Sequence, residues 1–160
     1  MRKISVKAAL GLVEILWPEF IEVGGAILLR GTVSSYQHSW PANMDLTGLE
    51  ASENHTHIVD IVAAPGALRS RASGGKEDFY NRQHPDFLTA CEFGKKLAEM
   101  WFAKLRQDFP KYRFRVYYTE EDNPIVRFHR VREGEPFWLD EAANAEDVAI
   151  GKVIVHDTGA

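Results

Sequence analysis

The sequence predicts an α+β fold: an antiparallel sheet built from two helix-plus-hairpin units, with the helices packed on one face. Three observations carry this. A long amphipathic run begins at His84-Pro85, stops at Phe109-Pro110 and turns into two alternating strands. A shorter run from Ser5 stops at Trp17-Pro18 and turns into two strand-like stretches split by Gly24-Gly25. The junctions match in residue type, Trp17-Pro18-Glu19-Phe20 in the first and Phe109-Pro110-Lys111-Tyr112 in the second. In each, an aromatic anchors the last helical turn, proline breaks the helix and an aromatic starts the strand.

Taken in order, Ser5 caps a first helix with apolar positions at Ala9, Leu12, Val13, Leu16 and Trp17. Phe20–Val23 and Ala26–Leu29 flank Gly24-Gly25, a strong hairpin signal because a primed turn needs positive φ at both central residues. Residues 31–44 are polar and irregular, a long loop containing Trp40-Pro41. Asp45 caps a further helix through Leu46, Leu49, Ile58, Ile61 and Val62; Gly48 and the run Thr56–Val59 also allow a short helix followed by a strand, and the single helix is preferred. Residues 65–76 are rich in Gly, Ala, Ser and Arg, predicting a mobile linker, and 76–83 a short helix.

The long helix is the best-patterned element. Pro85 suits its first position, Asp86 faces the positive end of the dipole, and Phe87, Cys91, Gly94, Ala98, Trp101 and Leu105 form one stripe widened by Ala90, Leu97 and Met100. Gly94 costs the helix about 1 kcal/mol, which predicts another element in close approach. Tyr112, Phe114, Val116 and Tyr118 then alternate with Arg113, Arg115 and Tyr117, and Ile125–Val131 returns after a turn-rich stretch. Past Glu133-Gly134-Glu135-Pro136, the short apolar return Phe137-Trp138-Leu139 leads to a brief helix capped by Asp140 and reaching Asp147, and Val153–Val155 adds an edge strand.

The chain has 160 residues, 45% of them hydrophobic and 26% charged, which fits one domain over 1–160 and excludes a wholly disordered chain. A net charge of −4 gives no general attraction to nucleic acid or anionic lipid. The one cysteine, Cys91, lies on the apolar stripe and reads as a buried thiol. Lys7 and Glu14 interrupt the apolar run behind Met1-Arg2-Lys3, and Pro18 follows without a cleavage pattern, so the start reads as a folded helix and not as a signal peptide. No stretch reaches the ~18 apolar residues of a membrane span. A soluble cytoplasmic protein is expected.

The sharpest cluster of chemistry-bearing residues is Glu53-Asn54-His55-Thr56-His57-Ile58-Val59-Asp60. On a strand, His55 and His57 project from one face, which can present two imidazoles to a divalent transition metal with Asp60 near by. The run departs from the His-x-His-x-Asp-His signature of metallo-β-lactamases: its Asp is displaced to position 60 and the following His is absent. Completing a site requires distant ligands such as His84 or His129. Ser73-Gly74-Gly75-Lys76 lacks the leading glycine and the following hydroxyl of a phosphate-binding loop.

The second candidate is the outer face of the late hairpin. With Phe114, Val116, Val126 and Phe128 facing the core, alternation sets Arg113, Arg115, Tyr117, Arg127 and His129 on the opposite face, suited to a carboxylate or phosphate or to a protein partner. Trp17 and Trp101 belong to helix stripes and read as core, whereas Trp40 and Trp138 can mark a surface pocket. The leading expectation is a small bacterial-type binding or interaction protein without catalytic activity or cofactor. It would engage a protein partner or a second copy of itself through Arg113, Arg115, Tyr117, Arg127, His129 or Trp40; membrane and nucleic-acid partners are not expected. Metal-assisted hydrolysis through His55, His57 and Asp60 is the alternative, and binding of a small anion a third reading.

Overall fold

The computed structural model describes residues 4–33, 45–61, 69–71, 78–80 and 82–157. Helix α1 (Val6–Leu16) starts where the Ser5 hydroxyl accepts the Ala8 N–H and ends at Trp17. Strands β1 (Phe20–Val23) and β2 (Ala26–Leu29) pair antiparallel across Gly24 and Gly25, whose φ angles of 60° and 85° are those the primed turn requires. A single 3-10 turn, Arg30–Thr32, follows. Helix α2 (Leu46–Glu53) is capped by Asp45, and strand β3 (Thr56–His57) runs directly into helix α3 (Ile58–Ile61). Over the described residues 45–61 the preferred single helix is thus broken: the alternative of a short helix followed by a strand holds for Leu46–Glu53 and Thr56–His57, whereas Ile58–Ile61 is helical again. Strands β4 (Arg69–Arg71) and β5 (Asp78–Tyr80) pair with each other, replacing the short helix expected over 76–83. The rest of the linker expected over 65–76 lies outside the described residues.

Helix α4 (Pro85–Asp108) carries His84 as N-cap and ends at Phe109. Trp17 and Phe109, the two residues that close helices before a proline, adopt nearly the same backbone, φ −134° and ψ 62° against −129° and 62°. Similar junction sequences thus give similar junctions. Strands β6 (Phe114–Thr119) and β7 (Ile125–Arg130) form the second hairpin, helix α5 (Ala145–Ala149) begins later than its expected cap at Asp140, and β8 (Val153–Asp157) closes the far edge. The main sheet has the order β3-β7-β6-β8, antiparallel throughout.

The fold is α+β, and both helix-plus-hairpin units are present. Their ladders do not join into one sheet: β1 and β2 form a two-stranded sheet of their own. Side chains from α2 and its C-cap residue explain the separation. Asn54 donates from Nδ2 to the Ile27 carbonyl and accepts the Leu29 N–H, while Glu50 accepts the N–H of Ile27 on β2 and of Arg130 on β7. A carboxylate and an amide occupy the backbone positions that strand pairing would have used.

The core lies between α4 and the inner face of the main sheet. Phe87, Ala90, Cys91, Leu97, Ala98, Trp101 and Leu105 of α4 are buried with Phe114, Val116, Tyr118, Val126 and Phe128. Phe20 inserts from the first unit between Trp101 and Phe128, with ring centroids 6.0 and 5.0 Å away in edge-on geometry. Gly94 faces the Tyr118 ring: a Cβ there would lie 2.8 Å from Tyr118 Cε2 and 3.1 Å from Ile58 Cγ1, the close approach its place in the helix implied.

Helix α1 departs from expectation because it buries no residue fully. Ile15 and Leu16 touch the core and Trp101 Nε1 donates to the Ile15 carbonyl at 2.9 Å, but Trp17 is exposed. Its inward side is the Ile15 side, so the stripe expected to be buried is turned largely outward. Among the described residues, no helix is long and apolar enough to cross a membrane.

Candidate interaction surface

Register places the second candidate set together. Arg115 lies opposite His129 on β7 and Asp157 on β8, and Tyr117 lies opposite Arg127, so alternation sets all five on the face away from α4. Arg113, one residue before β6, joins them by a fork on Asp157, Nε and Nη2 each 2.8 Å from a carboxylate oxygen. Trp40 lies outside the described residues.

The centre of this face is closed to solvent. Arg115, Tyr117 and His129 are buried, because residues 133–144 cross the sheet and cover them. The sequence could not show this: an arginine–tyrosine alternation reads the same beneath water as beneath a second layer of chain.

The layer is held by matched chemistry. Arg115 donates from Nε to Asp157 at 2.9 Å and from Nη2 to Glu141, and its guanidinium lies 4.0 Å from the centre of the Phe137 ring. The Arg127 guanidinium lies 4.7 Å from the Trp138 ring. His129 Nδ1 is 3.0 Å from the Arg130 carbonyl, an acceptor, so Nδ1 carries the proton. Nε2 is then free to accept the Tyr117 hydroxyl at 2.8 Å and the Trp138 N–H at 3.4 Å. Both contacts need a neutral imidazole. Burial depresses the His129 pKa, with Arg115 and Arg132 adding to the depression against the Arg130 carbonyl. Burial likewise pushes the Tyr117 phenol up to about 12. Arg127 sits in the least satisfied position: its Nε has no hydrogen-bond partner and burial lowers its pKa against the pull of Glu121.

What reaches solvent is the upper side of the cover. Phe137 and Trp138 stay 46% and 45% exposed with their lower faces on guanidinium groups. A hollow of about 390 Å³ beside them is lined by Arg115, Pro136, Phe137, Leu139, Asp140, Glu141 and Ala142. Between Arg132 and Lys152 the chain carries six acids, Glu133, Glu135, Asp140, Glu141, Glu146 and Asp147, and no lysine or arginine. That exceeds the net charge of the whole chain, −4. Glu135 is tied to the Thr47 N–H and Asp140 to the Ala142 and Ala143 N–H groups, which fix the course of the segment.

The histidine cluster is assembled in part. His55 and His57 meet edge to face with ring centroids 5.1 Å apart, and His55 Nδ1 contacts the Ser52 carbonyl. Asp60 is 3.4 Å from Asn123, whose Oδ1 also accepts the Val59 N–H and so starts α3. His84 caps α4, accepting the Asp86 N–H, and His129 is taken up in the sheet network. Among the described residues, no three or more His, Cys, Asp or Glu side chains are grouped so as to hold a metal.

Phe137, Glu141 and Asp157 were the residues that sequence reasoning did not place at this site; an apolar pair inside an otherwise acidic stretch, following a basic hairpin, is the signal that would have found the first two. Comparison of the chain with protein-family models, with curated proteins and with solved structures finds no match.

Proposed function

We propose that the chain is a non-catalytic binding protein that docks a basic protein partner on the surface formed by Phe137, Trp138 and the acids around them. The observation that supports this most directly is the mounting of the two rings: each is half exposed and each rests on an arginine of the sheet. Aromatic side chains already fixed in place lose little conformational freedom on binding and dominate many protein interfaces. The acids supply the complement: a surface of one sign steers a partner of the other and favours its docked orientation. Arg113 and Arg115 are already answered by Asp157 and Glu141, which argues against their use as a free anion site.

Affinity capture from source-cell extract tests the reading, with the wild-type chain compared with a Phe137→Ala/Trp138→Ala double variant. The wild type retains a basic protein at low salt and releases it at high salt, and the variant does not retain it. Identical retained sets, or retention insensitive to salt, reject the proposal. A second reading, metal-assisted hydrolysis at His55, His57 and Asp60, draws on the contact between the two imidazoles. Elemental analysis of protein prepared without chelator, wild type against His57→Ala, decides it: equal and negligible metal in both removes that reading.

A further inference from the structure

We infer that the protein self-associates through α1, which pairs antiparallel with α1 of a second copy about a two-fold axis. The inference concerns a different surface from the aromatic one and does not depend on it. Val6, Leu10 and Val13 are 88%, 59% and 57% exposed, and Trp17 at the end of the helix is 39% exposed. They recur at intervals of four, three and four residues, the a/d spacing by which one helix packs its seam against another. Val6, Leu10 and Val13 lie on the side of the helix opposite Ile15, which touches the core, while Trp17 at the C-cap closes the stripe against α4. The end of the seam is fixed, because Lys104 lies over the Trp17 ring, 5.4 Å from its centre, and is itself held by Asp108 at 2.6 Å.

Charge selects the occupant. Lys7 and Glu14 are two turns apart and both lie on the same flank of the seam. Both are exposed, and neither has an ion-pair partner among the described residues. In a two-fold antiparallel pair with Val6 against Trp17 of the second copy and Leu10 against its Val13, Lys7 of each chain falls beside Glu14 of the other, and the contact occurs twice. A parallel pair would instead set each charge against Ala9 or Leu16. The stripe is therefore complementary to itself in one orientation, as an isologous interface requires.

An 11-residue helix is short for an interface. Its seam spans roughly 16 Å, and the area is below that of standard complexes, so dissociation constants on the order of tens to hundreds of micromolar are expected.

Sedimentation of the full chain over micromolar to near-millimolar concentrations tests this. The wild type dimerises reversibly, and Leu10→Asp is monomeric throughout. Lys7→Glu alone and Glu14→Lys alone each raise the dissociation constant several-fold, because like charges then meet twice. The double swap, Lys7→Glu with Glu14→Lys, returns it to within about two-fold of wild type, since charges of opposite sign again face each other. Circular dichroism confirms that the variants, all at exposed positions, remain folded. A wild-type monomer at every concentration, a dimer unaffected by Leu10→Asp, or a double swap no tighter than the single variants overturns the inference.

Discussion

Replacing Glu50 by alanine should destabilise this fold strongly, because the side chain is fully buried although it belongs to no repeating pattern. Its carboxylate accepts four donors: the Ile27 N–H at 2.6 Å, the Arg130 N–H at 2.6 Å, and Arg132 Nη1 and Nη2 at 2.9 and 2.7 Å. Burial pushes its pKa up against the pull of Arg132 and of those two backbone groups, so the charge is kept by its partners and not by water. Alanine leaves the Arg132 guanidinium with the Gly25 and Arg130 carbonyls alone. Removing one partner of such a buried pair costs roughly 3–5 kcal/mol. Each of the two orphaned backbone N–H groups adds about 1–3 kcal/mol, less whatever water recovers. Against a total stability of about 5–15 kcal/mol, Glu50→Ala should be largely unfolded or close to it. Urea titration followed by tryptophan fluorescence measures the loss, and Glu50→Gln, which keeps the shape, supplies a foldable variant. A double-mutant cycle with Arg132→Met should show coupling above about 2 kcal/mol. The paired replacement still costs stability, because the Ile27 and Arg130 N–H groups remain unanswered. A loss under about 1 kcal/mol in Glu50→Ala, or strict additivity in the cycle, would refute the view that this carboxylate joins the two sheets.

Further outcomes follow from other sites. Gly94→Ala gains about 1 kcal/mol of helix propensity but drives a Cβ into the Tyr118 ring at 2.8 Å, with Ile58 at 3.1 Å on the other side. Overpacking of this kind costs roughly 1–3 kcal/mol, so the net effect in urea titration should be destabilising, and a stabilised variant would contradict the packing. Burial holds the folded pKa of His129 and His156 below the ordinary 6.5. Below pH 6.5 the unfolded chain binds protons these imidazoles refuse, so their contribution is complete above that value and is lost as pH falls toward the folded pKa. For His129 the slope approaches 1.4 kcal/mol per pH unit within that window, at most about one proton's worth. The raised Glu50 carboxyl acts in the opposite sense at lower pH. Stability measured from pH 5 to 8 should therefore be flatter in His129→Gln than in wild type, and equal slopes would show that His129 titrates normally. A thermal-shift screen of phosphate, sulfate and carboxylates should show no stabilisation beyond matched chloride, with Arg115→Ala unchanged in its response; a specific anion effect abolished in that variant would reopen the arginine face as a ligand site.

Where the sequence was informative, local pattern and tertiary packing asked for the same thing. The stripe of α4, the Gly24-Gly25 turn, the alternation in β6 and β7 and the close contact at Gly94 are each written in a few neighbouring residues. The failures share a cause of the opposite kind. Strand β3 is two residues long and exists because Thr56 and His57 find Val126 and Ile125, some seventy positions later. The two hairpins remain separate sheets because Glu50 and Asn54 answer backbone groups at Ile27, Leu29 and Arg130. Nothing around Glu50 in the sequence distinguishes it from a solvated acid. Helix α1 has a stripe as clear as that of α4, but a stripe does not say whether the chain itself covers it, and here Val6, Leu10 and Val13 stay exposed.

The same ambiguity governs the basic hairpin, and the structure resolves it in a way that reverses its sign. Arg113 is matched to Asp157, Arg115 to Asp157, Glu141 and Phe137, Arg127 to Trp138, Arg130 to the Tyr112 ring at 3.6 Å, and Arg132 to Glu50. Three of these five arginines, Arg113, Arg115 and Arg127, share the outer face of the hairpin and would suggest an anion-binding face if they had no partners in the chain. Each is answered inside the chain, by an acid or by the face of an aromatic ring. The covering layer then presents what the arginines do not use: the upper faces of Phe137 and Trp138, and carboxylates left over from the same segment. A face that reads as basic along its strands is thus acidic and aromatic at its surface. On the proposed reading a partner meets the covering layer and not the strands, and Arg115 and Arg127 contribute by supporting the Phe137 and Trp138 rings from below.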